Sequence, residues 1–340
     1  MSPPLLEIED LVVHFPSAAG PVRAVDGLSL NVERGQTLGV VGESGSGKTV
    51  TFLAAMRLLD RSHPIVSGRI MLDGVDMLEV PARQMRGIRG PRIGMIFQDP
   101  LSALHPLLRV GDQIAETVRA HRDVGRRDAW AQAVAALARV GIPNADERAR
   151  QYAHQLSGGM RQRVMIAMAL ILEPDLLIAD EPTTALDTTV EAQILGIIDD
   201  LRRRLGIGVV LVSHSLATVA DVADTVVVMY AGRAVERGPC AEVFAHPQHP
   251  YTWGLLDSVP TLGAERARLV PIPGNPPSLI DPPPGCRFAA RCAYRFDACT
   301  ERLPELADRG GGHADACVLP ATGRGARRRH PAHPGEEAAA

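Results

Sequence analysis

TLGVVGESGSGKT, residues 37–49, joins a short apolar, β-forming run to a glycine-rich turn that ends in Lys-Thr. A helical run, Val50–Leu59, follows it. Strand, loop and helix in that order supply the context that the pattern G-x-x-x-x-G-K-[ST] requires. Gly42, Gly45 and Gly47 let the backbone curl so that successive N–H groups face the β- and γ-phosphates of a nucleotide, aided by the helix dipole. Lys48 supplies a point charge, and Thr49 a hydroxyl ligand for Mg²⁺. Ser44, Ser46 and Val50 complete the run of loop amides.

Outward from this loop, the chain from Leu5 to about Glu236 alternates β-rich runs with helical patterns, the mark of a layered α/β domain. TLGVV (37–41), RIGMIF (92–97), DLLIAD (175–180), GVVLVS (208–213) and TVVVMY (225–230) are apolar on both faces, as buried strands should be. A helical insert is expected over about 105–165, with VGDQIAETVRAH and RRDAWAQAVAALARV spaced for amphipathic helices. After Gly238 the composition shifts to Pro and Gly. PGNPPSLIDPPPGC, 273–286, is a stiff connector rather than a helix or central strand. The boundaries expected are an ATP-binding domain over 1–236, a small Cys-rich domain over 237–320 and a disordered tail over 321–340.

The bulk numbers narrow the function. At 340 residues the chain can hold about two domains, and 36 basic against 39 acidic residues leave a net charge of −3, with no broad basic field to take nucleic acid. The N-terminus places Glu7, Glu9 and Asp10 where a signal peptide would carry positive charge and an apolar core. The longest apolar run, Val164–Leu172, is far short of the ~20 residues of a membrane-spanning helix. A cytosolic protein, peripheral to any membrane it serves, is the expectation. Four of five cysteines, Cys286, Cys292, Cys299 and Cys317, crowd the last fifth of the chain, and in a reducing compartment such a cluster reads as metal binding before disulfide. Cys240 stands apart from them.

DLLIADEP carries the second half of the metal chemistry. Its apolar strand delivers Asp180 to the C-terminal edge of a sheet, where a carboxylate can hold Mg²⁺ through water. Glu181 follows, placed to orient or deprotonate an attacking water. Gln98 after RIGMIF and His214 after GVVLVS sit at strand ends of the same kind. Taken singly, a strand-end Gln or His is usually a satisfied polar residue. Their order relative to the other motifs decides otherwise. LSGGMRQRV adds a second anion site, with Ser157, Gly158 and Gly159 opening an amphipathic helix, Met160–Leu172.

Phosphate loop, Gln98, LSGGMRQR, LLIADEP, Ala185–Asp187 and His214, in that order and spacing, closely resemble the ATP-binding subunit of an ABC transporter over residues 5–236. The resemblance implies a P-loop ATPase of ABC type that pairs head to tail, each ATP lying between the phosphate loop of one subunit and the LSGG motif of the other. It further implies that Phe15 stacks on adenine and that Thr49, Gln98 and Asp180 arrange Mg²⁺. Glu181 would activate water, His214 contact the γ-phosphate and Asp187 communicate across the dimer. Two departures stand out: Ser215 where the family usually has Asp, and His105 where it usually has Asn.

AHPQHPYTWGLLDSVP (245–260) and GCRFAARCAYRFDAC look like the segment that follows the ATPase domain in dipeptide, oligopeptide and nickel importers. MIFQDPLSALHP and LSGGMRQRVMIAMAL match the first of the two ATPase subunits such importers use. The implied assembly is this chain, a paralogous ATPase, two permeases and an extracytoplasmic solute-binding protein, at the cytoplasmic face of the membrane. The cysteine spacing, C-x5-C-x6-C-x17-C, lacks the C-x2-C of a zinc knuckle. A [4Fe–4S] cluster is what the resemblance implies, with zinc or free thiols as the other readings. A soluble ABC-type ATPase acting on nucleic acid is the competing class. It usually needs two cassettes or a long coiled coil, and neither is present.

Overall fold

A computed structural model describes residues 3–59, 64–184, 186–258, 271–320 and Arg324. Ala185 and the tail outside Arg324, both part of the expectations above, lie outside the described residues. The chain divides into two compact units: Met1–Glu7, Asn31–Thr37 and Ile70–Val212 form the first, and Ile8–Leu30, Leu38–Arg69 and Ser213–Ala340 the second. The described strands, in chain order, are β1 (Leu6–Phe15), β2 (Val22–Val32), β3 (Thr37–Val41), β4 (Ile65–Leu72), β5 (Val75–Asp76), β6 (Ile93–Ile96), β7 (Leu176–Asp180), β8 (Gly208–Ser213), β9 (Thr225–Tyr230), β10 (Arg233–Pro239), β11 (Ala307–Gly310) and β12 (His313–Asp315).

In the first unit β6, β7 and β8 run parallel in that order, with Ile93 opposite Leu176 and Leu176 opposite Gly208. Every residue of these three strands is buried. Continuous apolar runs are what a parallel sheet covered on both faces demands. The insert supplies helices Val110–His121 and Arg126–Arg139, each burying one face through residues such as Ile114, Val118, Ala133 and Leu137. Helix Gly158–Leu170 begins two residues before the expected start and is not two-faced. Its residues Val164 to Ala167 are all buried and so is Gln162, because β6 and the helices of the insert pack around it. Among the described residues no helix is long and apolar enough to cross a membrane.

In the second unit β9 pairs parallel with β3 and antiparallel with β10. β12 adds antiparallel to β10, and β11 to β12. β3 and nearly all of β9 are buried, whereas β1 and β2 alternate buried and part-exposed positions, as strands with one wet face do. The helix after the glycine loop is shorter than the sequence suggests. It runs Lys48–Ala55, and Arg57, in the left-handed region at φ 52°, ends it. Residues 273–286 form no helix and no strand.

Candidate active site

The glycine loop of the second unit is folded around its own lysine. Lys48 is buried, and its Nζ donates to the carbonyls of Gly42 at 2.7 Å and Glu43 at 3.1 Å. Two glycines are sterically required. A Cβ on Gly42 would stand 2.1 Å from the Met229 carbonyl oxygen, and one on Gly47, at φ 100°, would stand 2.3 Å from that of Ala24. Ser44 and Gly45 are exposed, and Thr49 and Val50 lie half-buried in the first helical turn. Ser46 is buried and its Oγ finds no hydrogen-bond partner in the protein. An orphaned buried hydroxyl costs about 1–3 kcal/mol. A phosphate oxygen in the loop would remove that cost, so this loop is chemically fitted to an anionic ligand at a helix N-terminus.

His214 is exposed immediately after β8. The departure at Ser215 has a local explanation: its hydroxyl accepts from Thr218 N–H at 3.3 Å and caps helix Leu216–Ala220. Ser and Asp are interchangeable as N-caps. Phe15 closes β1, half-buried.

In the first unit β7 ends on Asp180, which is 3% exposed, and the next residue leaves the strand in the left-handed region, with Glu181 at φ 46°. That conformation costs a non-glycine residue about 1–2 kcal/mol. The Glu181 N–H bond to the Val212 carbonyl, 3.0 Å, helps hold it. The Glu181 Oε2 accepts from Gln98 Nε2 and from Thr184 Oγ1, each at 2.9 Å. Two donors on one oxygen fix the carboxylate's direction. Thr184 gave no signal in the sequence beyond its place in the short turn after DEP. Ser157 and Gly158 are exposed at the start of helix Gly158–Leu170, where the Ser157 hydroxyl accepts from Met160 N–H at 3.3 Å. Gly159 lies in the first turn. Asp187 caps helix Thr188–Leu205, accepting from Val190 N–H at 2.9 Å.

His105 also explains itself. Its Nδ1 accepts the N–H of Leu107 at 3.2 Å, the bond an Asn side chain would make in a local turn. Gln113, buried and unnoticed in the sequence, holds the same loop by accepting from His105 N–H at 2.8 Å and donating to the carbonyls of His105 and Leu108.

Cys286, Cys292, Cys299 and Cys317 line one pocket together with His249 and Phe288, and all are free thiols. Burial pushes Cys292 up to about 12 and Cys317 up to about 11, and raises Cys286 as well. Cys292 and Cys317 are therefore neutral at physiological pH unless a cation displaces their protons. No three His, Cys, Asp or Glu side chains among the described residues are grouped to hold a single ion.

The second unit thus carries a glycine loop fitted to an anion, and the first a directed carboxylate after a buried Asp and a capped Ser-Gly-Gly helix start. Residues 25–184 match the ABC transporter family, and residues 235–299 match the oligopeptide/dipeptide transporter C-terminal region. The dipeptide transport ATP-binding protein DppD of Bacillus subtilis is 48% identical, over 93% of this chain and 94% of that protein. The oligopeptide transport ATP-binding protein OppD of Salmonella typhimurium is 45% identical, over 93% and 94%. Among solved structures, cbiO1 of Clostridium perfringens superimposes with a TM-score of 0.62 at 28% identity, over 72% of this chain and 92% of that one. The chain belongs to the ATP-hydrolysing subunits of ABC transporters, in the branch that carries the oligopeptide/dipeptide C-terminal region.

Proposed function

We propose that this chain hydrolyses ATP to drive peptide uptake through a membrane permease. The observation that carries the reading is a doubly held Glu181 carboxylate in a chain whose residues 235–299 match the peptide-transporter C-terminal region. Lys48 and the amides from Gly42 to Val50 bind the phosphates, with Phe15 against the base. Thr49, Asp180 and Gln98 are the residues that would hold Mg²⁺, which supplies charge neutralisation at the β- and γ-oxygens. Glu181 orients the attacking water and takes its proton, and His214 contacts the γ-phosphate. Ser157, Gly158 and Gly159 serve the nucleotide of a paralogous ATPase subunit, with Asp187 near the shared boundary.

The partners in this reading are that paralogue, two permeases and an extracytoplasmic solute-binding protein, the chain working at the cytoplasmic face. Phe97, Leu101, Leu107 and Leu108, exposed around the loop that follows Gln98, are a suitable apolar contact for a permease. Cys286, Cys292, Cys299 and Cys317 are the residues that would hold a [4Fe–4S] cluster, which supplies a rigid, one-electron centre; the support is their convergence on one pocket.

The test replaces Glu181 with Gln in the host and follows uptake of a labelled dipeptide, a longer oligopeptide and nickel. Loss of peptide uptake with nickel uptake kept is the expected result. Loss of nickel uptake alone moves the assignment to a metal importer, and persistence of all three in a host without a redundant importer overturns it.

A further inference from the structure

Between the first two thiols of the pocket runs Cys286-Arg-Phe-Ala-Ala-Arg-Cys292, and the second of its arginines reaches the glycine loop. The Arg291 side chain is 6% exposed. Its guanidinium forms a two-pronged pair with Glu43, Nη1 to Oε2 at 2.7 Å and Nη2 to Oε1 at 3.0 Å. The other N–H groups go to the Tyr230 hydroxyl and to the carbonyls of Ile272 and Pro273, so all five donors are used. The ring faces of Tyr230 and Phe288 lie within 6.0 Å of the guanidinium carbon. Glu43 is held a second way, its N–H donating to the Tyr251 hydroxyl at 2.9 Å. Tyr251 is fully buried and is the tyrosine of the His-Pro-Tyr segment. Across a cavity of about 200 Å³, Pro276, Pro277 and Leu279 face Glu43 to Ser46. Both the side chain and the amide of Glu43 are thus anchored by residues beyond the end of β10, while its carbonyl accepts from Lys48.

We infer that Arg291 and Tyr251 are positioning residues of the phosphate loop, which makes the C-terminal four-cysteine segment a working part of the nucleotide site. The inference rests on the reading of Gly42–Thr49 as that site. Neither residue touches phosphate. They set the Gly42–Glu43 peptide, whose carbonyls hold the Lys48 ammonium, and so they set how many loop amides converge on the ligand.

The experiment titrates the full-length chain with a fluorescent ATP analogue and Mg²⁺, alongside far-UV circular dichroism and the thermal midpoint without nucleotide. Arg291→Ala should weaken binding about 10-fold, and Arg291→Lys, which keeps the charge but not the fork, should recover only part of it. The KM for ATP should rise with kcat nearly unchanged. In the double variant Arg291→Met with Glu43→Gln the loss should be well below the sum of the two single losses, since no charge is left unpaired. Tyr251→Phe should weaken binding with its circular dichroism unchanged. A folded Arg291→Ala chain with the parental Kd overturns the inference, as do strictly additive losses in the double variant. Lys48→Ala is the control: parental binding there would sink the loop reading itself, whereas lost binding there with parental binding in Arg291→Ala would sink only the clamp.

Discussion

Gln98 Nε2 and Glu181 Oε2 are 2.9 Å apart, so the strand-end amide expected at the metal is bonded to the carboxylate expected to activate water. The two residues are one constellation rather than two independent ligands. Glu181→Gln exchanges an acceptor oxygen for a donor and removes the base, while leaving the backbone able to take the same φ. ATP turnover should fall about 10²- to 10⁴-fold with nucleotide affinity held. A steady-state phosphate-release assay beside an equilibrium titration separates the two, and lost affinity would mean that Glu181 acts in binding.

Thr184 should matter nearly as much as Gln98, because its hydroxyl meets the same carboxylate oxygen. A hydrogen bond to a charged group contributes about 1.5–3 kcal/mol. Thr184→Val, close to isosteric, should lower kcat about 10-fold with little change in KM; an unchanged kcat would show that Gln98 alone suffices.

Asp187 can be split between two roles by substitution. As the cap of helix Thr188–Leu205, its loss in Asp187→Ala should cost about 1 kcal/mol in denaturant unfolding, while Asp187→Ser should cost little. If Asp187→Ser keeps stability yet loses turnover, the carboxylate acts beyond its own helix. If both fall together, capping is the whole of its role.

Asp26 gives a pH test. Burial pushes its carboxyl up, but Arg287 and Arg233 beside it outweigh that, and the net effect holds it below the ordinary aspartate range. The sign follows from proton linkage: the stabilisation is present above the unfolded value of about 3.9 and is lost as pH falls through the lower folded value. The gap in urea midpoint between parent and Asp26→Asn should be constant near neutrality and shrink only below that value. A gap that shrinks already between pH 7 and pH 5 would assign the stabilisation to another group.

The strands of the α/β layers were legible because a buried parallel strand is written as an unbroken apolar run. TLGVV, GVVLVS and TVVVMY match their observed ends residue for residue. Helix Gly158–Leu170 was misread as two-faced because its Arg and Gln residues look solvent-facing, whereas Gln162 is buried. The glycine loop, Asp180 and Glu181 stand out through local motifs. The partners that hold them do not. Arg291 and Glu43 are 248 residues apart, and Tyr251 and Glu43 are 208 apart, and no periodicity or spacing encodes such a pairing. Thr184 and Gln113 were invisible for a different reason: single polar residues in turns and on helices carry no pattern until the chain folds.

The exposed start of helix Gly158–Leu170 has a kinetic consequence. Ser157 and Gly158 are exposed there, so in the reading above they complete a nucleotide site on a second molecule. Hydrolysis by the chain mixed with its paralogue should then follow the product of the two concentrations when both are low, turnover per molecule climbing as dilution is reversed, and dilution alone should act as an inhibitor.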